Sequence, residues 1–404
     1  MMDIGTAQDA GEVIQLLGSP SGLTATGSKV FEQNTSAVPD TAETGDKFGS
    51  ALAAGDFNGD GYDDLAIGVP GENDNGGVIE VLYGSSIGLI TTGSQLWRQG
   101  ASGVTDFQEK GDQFGSSLAT GRFDSDNYTD LIVGVPWEDG AATDEGAILM
   151  LRGANSGLTS TGNKEWTETT KGVPGDPEKG DNLGYSVAAG DFNDDGHCDI
   201  AAGMPGESVG TILVAGAVDV LYSGPNGPDP ANGPTKPQIW YRGHNGVDDA
   251  PREDAQFGYS LAADDLNHDA AADLAIGAPS DDIPRHPGAG SVTVLYGHRG
   301  APGLNALDTP TDQEWTQATA TNNDVKPTVG EDFGWSLAFG NFDLSKSDDL
   351  AIGSPYMTGG GALTVIHGSD TELGPTTNGG YQFFKRTDVF GPGGPYDLFG
   401  AALG

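Results

Sequence analysis

Residues 56–64 read DFNGDGYDD, a nine-residue stretch dense in oxygen-bearing side chains. Its first, third, fifth and ninth side chains carry oxygen, and together with the main-chain carbonyl of the seventh residue they suit a hard cation. Calcium takes about six to eight such oxygen ligands. Glycine at the sixth position permits the sharp turn that brings the oxygens together. The predicted ligands of this first loop are Asp56, Asn58, Asp60, Tyr62 and Asp64.

The same pattern recurs twice along the chain. The second loop has the predicted ligands Asp191, Asn193, Asp195, His197 and Asp199. The third has Asp265, Asn267, Asp269, Ala271 and Asp273, with alanine in place of the glycine. One match in a chain rich in glycine and aspartate is weak evidence, but three in one register predict three calcium sites. We expect the calcium to be structural, because an ion that binds only the folded state stabilises that state by mass action.

Two further loops in this register have lost ligands. Residues 122–130 begin with Arg122 where the first ligand is expected, and residues 341–349 have Lys346 at the glycine position. We expect a basic side chain to neutralise the remaining carboxylates of each loop in place of the metal. Both loops are therefore predicted to bind no calcium.

A larger repeat surrounds each loop, and its starts are 66 to 76 residues apart. Each unit has a Phe-Gly strand before the loop, a strand that ends in Gly-x-Pro after it, and a third strand of alternating apolar and polar residues. The fourth strand carries an aromatic residue that we expect to pack between blades. Four short strands per unit with turn residues between them predict an all-β protein, a β-propeller of four-stranded blades.

This pattern resembles the FG-GAP repeats of the integrin alpha-subunit propeller over essentially the whole chain. The resemblance implies a ring of blades with calcium loops on the lower face and partner binding on the upper face. Integrin propellers have seven blades, whereas this sequence contains six first strands and six fourth strands. The alternative that this chain is a fragment of a longer, seven-bladed protein therefore stays open.

The blade boundaries predict one domain over residues 1–404. Five complete blades cover approximately residues 45–110, 111–180, 181–253, 254–329 and 330–395. Residues 396–404 plus 1–44 would form a composite sixth blade, because the chain starts with a half-blade and ends after a first strand, Phe399–Leu403. Pairing these ends would remove two exposed sheet edges. Pairing between chains is the alternative, and it would make the protein self-associate through its half-blades.

Charge and hydropathy restrict the partners and the location. The 18 Lys and Arg residues against 59 Asp and Glu residues give a formal net charge of −41, which argues against nucleic acid and anionic membranes as partners. No stretch is apolar for long enough to insert into a membrane, and we expect that residues 1–18 are not a signal peptide, because they have no basic start and no long apolar run. We still expect an extracellular or cell-surface location, because such calcium modules fill at about 10⁻⁴–10⁻³ M free calcium.

The residue after the Phe-Gly pair is the best candidate for ligand binding. It varies from small to aromatic along the repeats, and it is Tyr185, Tyr259 and Trp335 in three successive blades. In the integrin family, aromatic residues here form a cage for a basic side chain of the beta subunit. These three residues either form such a cage, which also suits sugar stacking, or plug the channel. Aspartates before each first strand would form an acidic rim or cap the turns: Asp46, Asp112, Asp181, Asp254, Asp332 and Asp397.

Catalytic signals are weak, since the histidines are scattered and no Cys/His cluster has zinc spacing. The sequence therefore favours a non-catalytic, calcium-stabilised recognition or adhesion module that binds a basic protein segment or a glycan on its upper face. The alternatives are an extracellular enzyme acting on carbohydrate or phosphoester, since fold does not fix function, and a surface assembly subunit joined by strand exchange.

Overall fold

The computed structural model describes residues 2–300, 303–307, 310–343, 345–374, 380–391 and 398–403. These residues form five antiparallel sheets of four strands and one of two strands. The sheets consist of strands that follow one another in the chain. This arrangement confirms the predicted all-β propeller built from four-stranded blades. No helix among the residues described here is both long and apolar enough to cross a membrane.

The chain divides into two compact units, of which the first comprises residues 1–169 and 182–185. It contains the two-stranded sheet β1–β2 and the four-stranded sheets β3–β6 and β7–β10. Its elements are β1 (Val13–Ser19), β2 (Gly22–Phe31), β3 (Leu52–Gly55), β4 (Asp64–Val69), α1 (Glu72–Asn75), β5 (Val78–Tyr83), β6 (Ile90–Trp97), β7 (Ser117–Gly121), β8 (Asp130–Val135), β9 (Ala147–Arg152) and β10 (Thr159–Trp166).

The second unit comprises residues 170–181 and 186–404. It contains the four-stranded sheets β11–β14, β15–β18 and β19–β22. Its elements are β11 (Ser186–Gly190), β12 (Asp199–Met204), β13 (Ala217–Leu221), β14 (Gln238–Trp240), β15 (Ser260–Asp264), β16 (Asp273–Ala278), β17 (Ser291–Leu295), β18 (Gln313–Trp315), α2 (Gln317–Ala320), β19 (Ser336–Gly340), β20 (Asp349–Ser354), β21 (Ala362–Ile366), β22 (Tyr381–Lys385) and α3 (Arg386–Phe390).

The core lies between neighbouring sheets within each unit. In the first unit, Trp97 of β6 belongs to the same buried cluster as Phe114 and Leu149 of the next sheet. In the second unit, Trp240 of β14 clusters with Leu274 and Leu295 of the sheet that follows it. Trp97 and Trp240 are therefore packing residues between neighbouring sheets, as predicted.

The two glycines of each repeat allow adjacent sheets to come into close contact. A Cβ on Gly68, in the Gly-x-Pro motif, would lie 2.1 Å from the carbonyl oxygen of Gly115, in the next Phe-Gly pair. Gly115 itself has φ +85°, which favours glycine. In the next blade, Ser117 adds a hydrogen bond of 2.8 Å from its Oγ to the Gly184 carbonyl. Close backbone contact between neighbouring blades therefore explains the glycines of the repeat motif.

The chain ends are the part of the blade count that stays a prediction. The strands β1 and β2 pair with each other from Val13↔Phe31 to Ser19↔Gly22. Near the other end, the amide of Phe399 donates to the Gly360 carbonyl at 3.0 Å. Residues 1, 396, 397 and 404 of the predicted composite blade lie outside the described residues. The assignment of one closed domain to residues 1–404 is accordingly still a prediction.

Candidate functional site

The ninth residue of each calcium loop ties the loop to the sheet. Asp64, at the start of β4, is buried, and its Oδ2 accepts a hydrogen bond from the Phe57 amide at 3.0 Å. Its Oδ1 accepts from the Gly84 amide at 2.8 Å, just after the end of β5. The carboxylate therefore joins the loop to the second and third strands of the blade, and it has a fixed orientation.

The other side chains of the first loop turn towards the loop interior. Asp56 accepts hydrogen bonds from the amides of Asp60 at 3.0 Å and Gly61 at 2.9 Å. Asn58 accepts from the Asp60 amide at 2.8 Å, and Asp60 accepts from the Tyr62 amide at 3.0 Å. Gly61 has φ +89°, which accounts for glycine at the sixth position. The four oxygen-bearing side chains are thus held by the backbone of their own loop.

The second and third loops repeat this network bond for bond. Their ninth residues, Asp199 and Asp273, accept from the amides of Phe192 and Leu266 at 3.0 and 3.1 Å. In the third loop, Ala270 adopts φ +82° at the glycine position, a conformation that an L-residue adopts only with strain. The equivalent bonds within these loops measure 2.8–3.0 Å.

The electrostatics of the loops fit a cation. Burial, together with the nearby Asp60 and Asp56 carboxylates, raises the pKa of Asp64 to about 6. Burial likewise raises the pKa of Asp199 and Asp273 well above the usual range. A dication would offset this repulsion, and a donor set made only of oxygen suits calcium. The residues present therefore fit the metal, and calcium occupancy itself stays a prediction.

The seventh residues contribute differently from the side-chain ligands. Tyr62 and Ala271 are predicted to offer only their carbonyl oxygen, and this prediction is untested. His197 has the same predicted role, and its Nδ1 also lies 3.0 Å from Asp195 Oδ1. That contact orients a predicted ligand, so the imidazole supports the loop from outside the ligand set. Cys198, the only cysteine of the chain, is half-buried beside it.

The loop of residues 122–130 contains the expected basic side chain, but it comes from another strand. Arg152, the last residue of β9, forms an ion pair with the buried Asp124, and its NH2 lies 3.8 Å from Asp126 Oδ2. Arg122, in contrast, is exposed and donates to Asn127 Oδ1 at 3.3 Å. The basic side chain that faces these carboxylates is therefore Arg152 of the third strand, whereas the described contact of Arg122 is to Asn127.

In the loop of residues 341–349, the carboxylates likewise face a residue from the end of the third strand. Lys346 is exposed, whereas His367 lies with its Nδ1 3.3 Å from both Asp343 Oδ2 and Asp349 Oδ1. His367 and Arg152 occupy equivalent positions at the end of the third strand. The three blades with intact loops have tyrosine there instead: Tyr83, Tyr222 and Tyr296. This alternation was readable in the sequence, but it becomes informative only once the strand end is known to contact the loop.

Two of the three predicted ligand-binding aromatics come together in the second unit. The rings of Tyr259 and Trp335 have centroids 4.8 Å apart, and the Tyr356 ring lies 5.4 Å from Trp335. We call Tyr259, Trp335 and Tyr356 the aromatic patch. Tyr356 is 49% exposed and was missed by the sequence analysis, although its place directly after Gly-x-Pro was a signal. Tyr185 belongs to the first unit, where its ring lies 5.9 Å from that of Trp137.

Half of the six aspartates before the first strands have a structural role. Asp46, Asp112 and Asp181 are buried, and each accepts a hydrogen bond from the amide three residues before it. They cap turns, which is one of the two roles predicted for these residues. Asp254 is exposed, and burial raises the pKa of the half-buried Asp332 to about 6. Asp397 lies outside the described residues.

Comparison with known proteins agrees with this architecture. The FG-GAP repeat family model matches residues 48–79, 114–149, 183–221 and 257–295. Phosphatidylinositol-glycan-specific phospholipase D of Rattus norvegicus is 31% identical over 181 residues, which are 44% of this chain and 19% of that protein. Integrin alpha-PS2 of Drosophila melanogaster is 30% identical over 243 residues, which are 58% of this chain and 15% of that protein.

Integrin alpha-5 of Xenopus laevis is a third relative, 29% identical over 181 residues, which are 44% of this chain and 16% of that protein. The matches thus span about a fifth or less of the length of these three relatives. The residues matched by the family model fall on the repeats whose loops and paired glycines are described above. The chain is therefore a β-propeller that contains four FG-GAP repeats and resembles integrin alpha subunits.

Proposed function

We propose that the protein is a non-catalytic, calcium-stabilised recognition module of the extracellular space or cell surface, which binds a basic protein segment or a glycan. The observation that carries the proposal is the aromatic patch. Three large rings lie in contact in a chain whose other repeated aromatics, such as Trp240, are buried between sheets. The patch retains exposed surface, most of all at Tyr356.

The chemistry of the patch suits a cation or a sugar ring. A Lys or Arg head within about 6 Å of an aromatic face gains roughly 0.5–2 kcal/mol, with the larger value when water is excluded. The formal net charge of −41 would raise the local concentration of a basic partner. A glycan would instead stack on the rings, and its binding would depend little on salt.

Calcium serves this function as a structural ion. The three intact loops each connect the first and second strands of a blade, and they also bind the end of the third strand through the ninth residue. Such loops fill at the free calcium level outside cells. A location outside the cell would therefore keep the blades in their stable, metal-bound form.

Binding of arrayed basic peptides and glycans, with and without a calcium chelator, tests the proposal. Trp335→Ala and Tyr259→Ala should weaken binding by a few-fold to tenfold or more, since each removes one ring that contributes roughly 0.5–2 kcal/mol. Phe107→Ala is a matched control, because Phe107 is 76% exposed and lies outside the patch. If the patch variants instead lose thermal stability and keep their binding, the rings are only packing residues.

The enzyme is the alternative that the relatives favour, since several of them are named phosphatidylinositol-glycan-specific phospholipase D. Incubation of the chain with a phosphatidylinositol-glycan substrate distinguishes the two functions. Release of product that depends on the chain would replace the proposed binding function. The recognition module predicts no hydrolysis above the buffer rate.

A further inference from the structure

The loops of residues 122–130 and 341–349, which have lost predicted calcium ligands, are the two degenerate loops. The second of them has a donor set that differs in kind from that of the calcium loops. In residues 341–349 the first ligand position is Asn341, whose Nδ2 donates to the Ser345 carbonyl and so serves the loop itself. The glycine position holds Lys346. In exchange, the loop gains an imidazole from His367, directly after β21. Calcium prefers an all-oxygen shell and does not fit this set.

We propose that Asp343, Asp349 and His367 form a binding site for a transition-metal ion of the Zn²⁺ class. One imidazole nitrogen and two carboxylate oxygens are a donor set that suits zinc and its neighbours. One ligand atom from each of the three residues lies within 4.8 Å of the others. A fourth position, left to water, would complete a tetrahedron.

The distances fit a metal better than a direct ion pair. His367 Nδ1 lies 3.3 Å from Asp343 Oδ2 and 3.3 Å from Asp349 Oδ1. A charge-assisted hydrogen bond between such groups measures about 2.7–2.9 Å. Metal–ligand bonds of about 2.0–2.1 Å in a tetrahedron place neighbouring ligand atoms about 3.3 Å apart. The spacing of the imidazole from both oxygens therefore equals an edge of a zinc tetrahedron.

Two of the three ligands, His367 and Asp349, are also held in place before any metal binds. The side chains of His367 and Asp349 are 4% and 0% exposed. Asp349 accepts hydrogen bonds from the amides of Phe342 at 2.8 Å and Gly368 at 2.9 Å. The other ring nitrogen, Nε2, lies 3.5 Å from the Gln382 amide on β22, which leaves Nδ1 to face the carboxylates. Such outer contacts orient the ligands of metal sites.

The equivalent loop of the first unit supplies an internal comparison. There the strand-end residue is Arg152, which contacts Asp124 directly and carries a permanent charge. A guanidinium can only replace a metal, whereas a neutral imidazole can bind one. The distance of 3.3 Å from His367 Nδ1 to each of the two carboxylate oxygens leaves room for a metal ion between them. The carboxylates of residues 122–130 are therefore paired with a guanidinium, whereas those of residues 341–349 are free to share a metal ion with an imidazole.

Titration of the full chain with Co²⁺ and Zn²⁺ in saturating calcium tests the site. We expect one equivalent of Co²⁺ with the visible absorption of a tetrahedral site, displaced by Zn²⁺ and not by calcium. His367→Tyr should abolish this binding and preserve the fold, because tyrosine is the residue at this position in the calcium-loop blades. Asp343→Asn should weaken zinc binding by at least about 100-fold, since removing a ligand exceeds the effect of an outer contact.

His298→Gln is the matched control, because His298 also lies near an aspartate, with its Nδ1 4.0 Å from Asp269 Oδ2. The control should bind Co²⁺ like the wild type. The proposal is overturned if the wild type shows no tetrahedral spectrum in saturating calcium. It is also overturned if His367→Tyr keeps the spectrum and the zinc affinity, or if His298→Gln loses them.

Discussion

Replacement of Glu80 by glutamine should stabilise the protein at alkaline pH far more than at acidic pH. Glu80 lies on β5, is 0% exposed, and its carboxyl oxygens accept no hydrogen bond from any described residue. Burial, with the charges of Asp40 and Glu72 nearby, raises its pKa from 4.5 to about 8. The folded protein therefore keeps this carboxyl protonated at pH values where the unfolded chain has released the proton.

The raised pKa sets the sign and size of the effect. The stability linked to this proton is fully present below about pH 4.5 and is lost as the pH rises towards about 8. Each pKa unit corresponds to about 1.4 kcal/mol, so the full loss is on the order of 4–5 kcal/mol. Glutamine has the same shape and releases no proton. The gain in unfolding free energy from Glu80→Gln should thus grow by about 4 kcal/mol between pH 5 and pH 9.

Urea unfolding at pH 5, 7 and 9 in excess calcium measures this difference. Glu253→Gln is the matched control, because Glu253 is exposed and its substitution should change stability by less than about 0.5 kcal/mol at each pH. The same stabilisation by Glu80→Gln at all three pH values would refute the reasoning. It would mean that Glu80 is ionised in the folded protein.

Three further predictions concern the loops and the chain ends. Asp60→Ala should lower the melting temperature in calcium and have little effect in chelator, and calorimetry should count three calcium sites in the wild type. Arg152→Gln should cost about 1–3 kcal/mol in urea unfolding, because it leaves the buried Asp124 unpaired, whereas Arg122→Gln should cost less than about 0.5 kcal/mol. Equal costs would contradict the assignment of the neutralising cation. Deletion of residues 391–404 should cause aggregation or a large loss of stability, and an unchanged, monomeric protein would rule out closure within one chain.

The calcium loops were predictable because their geometry is local. The side-chain ligands from Asp56 to Asp64 span nine residues, and the turn that gathers them depends on Gly61 and on backbone amides within the loop. The same holds for the strands, whose apolar runs and turn residues recur at a fixed spacing. A repeat also multiplies weak local signals, so the propeller could be predicted from the sequence with its order of strands.

The aromatic patch was predictable only in part. The position after Phe-Gly indicated Tyr259 and Trp335, since the repeat aligns them in the first strands of neighbouring blades. Tyr356 lies directly after Gly-x-Pro, but only the structure shows that this position contacts Trp335. The acids before each first strand were predicted either to cap turns or to form a rim. Only the structure shows that the Asp112 carboxylate accepts a hydrogen bond from the Glu109 amide and so caps its turn.

The blade, the geometry of its predicted calcium loops and the glycines through which sheets touch were thus predictable from the sequence, because each depends on residues close in the chain or on the repeat. Only the folded chain shows which side chains face the carboxylates of the degenerate loops. Arg152 and His367 reach the carboxylates of Asp124 and Asp343 from the far end of the third strand. Antiparallel pairing of the second and third strands places that end beside the loop. A residue far away in the sequence therefore lies next to the carboxylates of the loop.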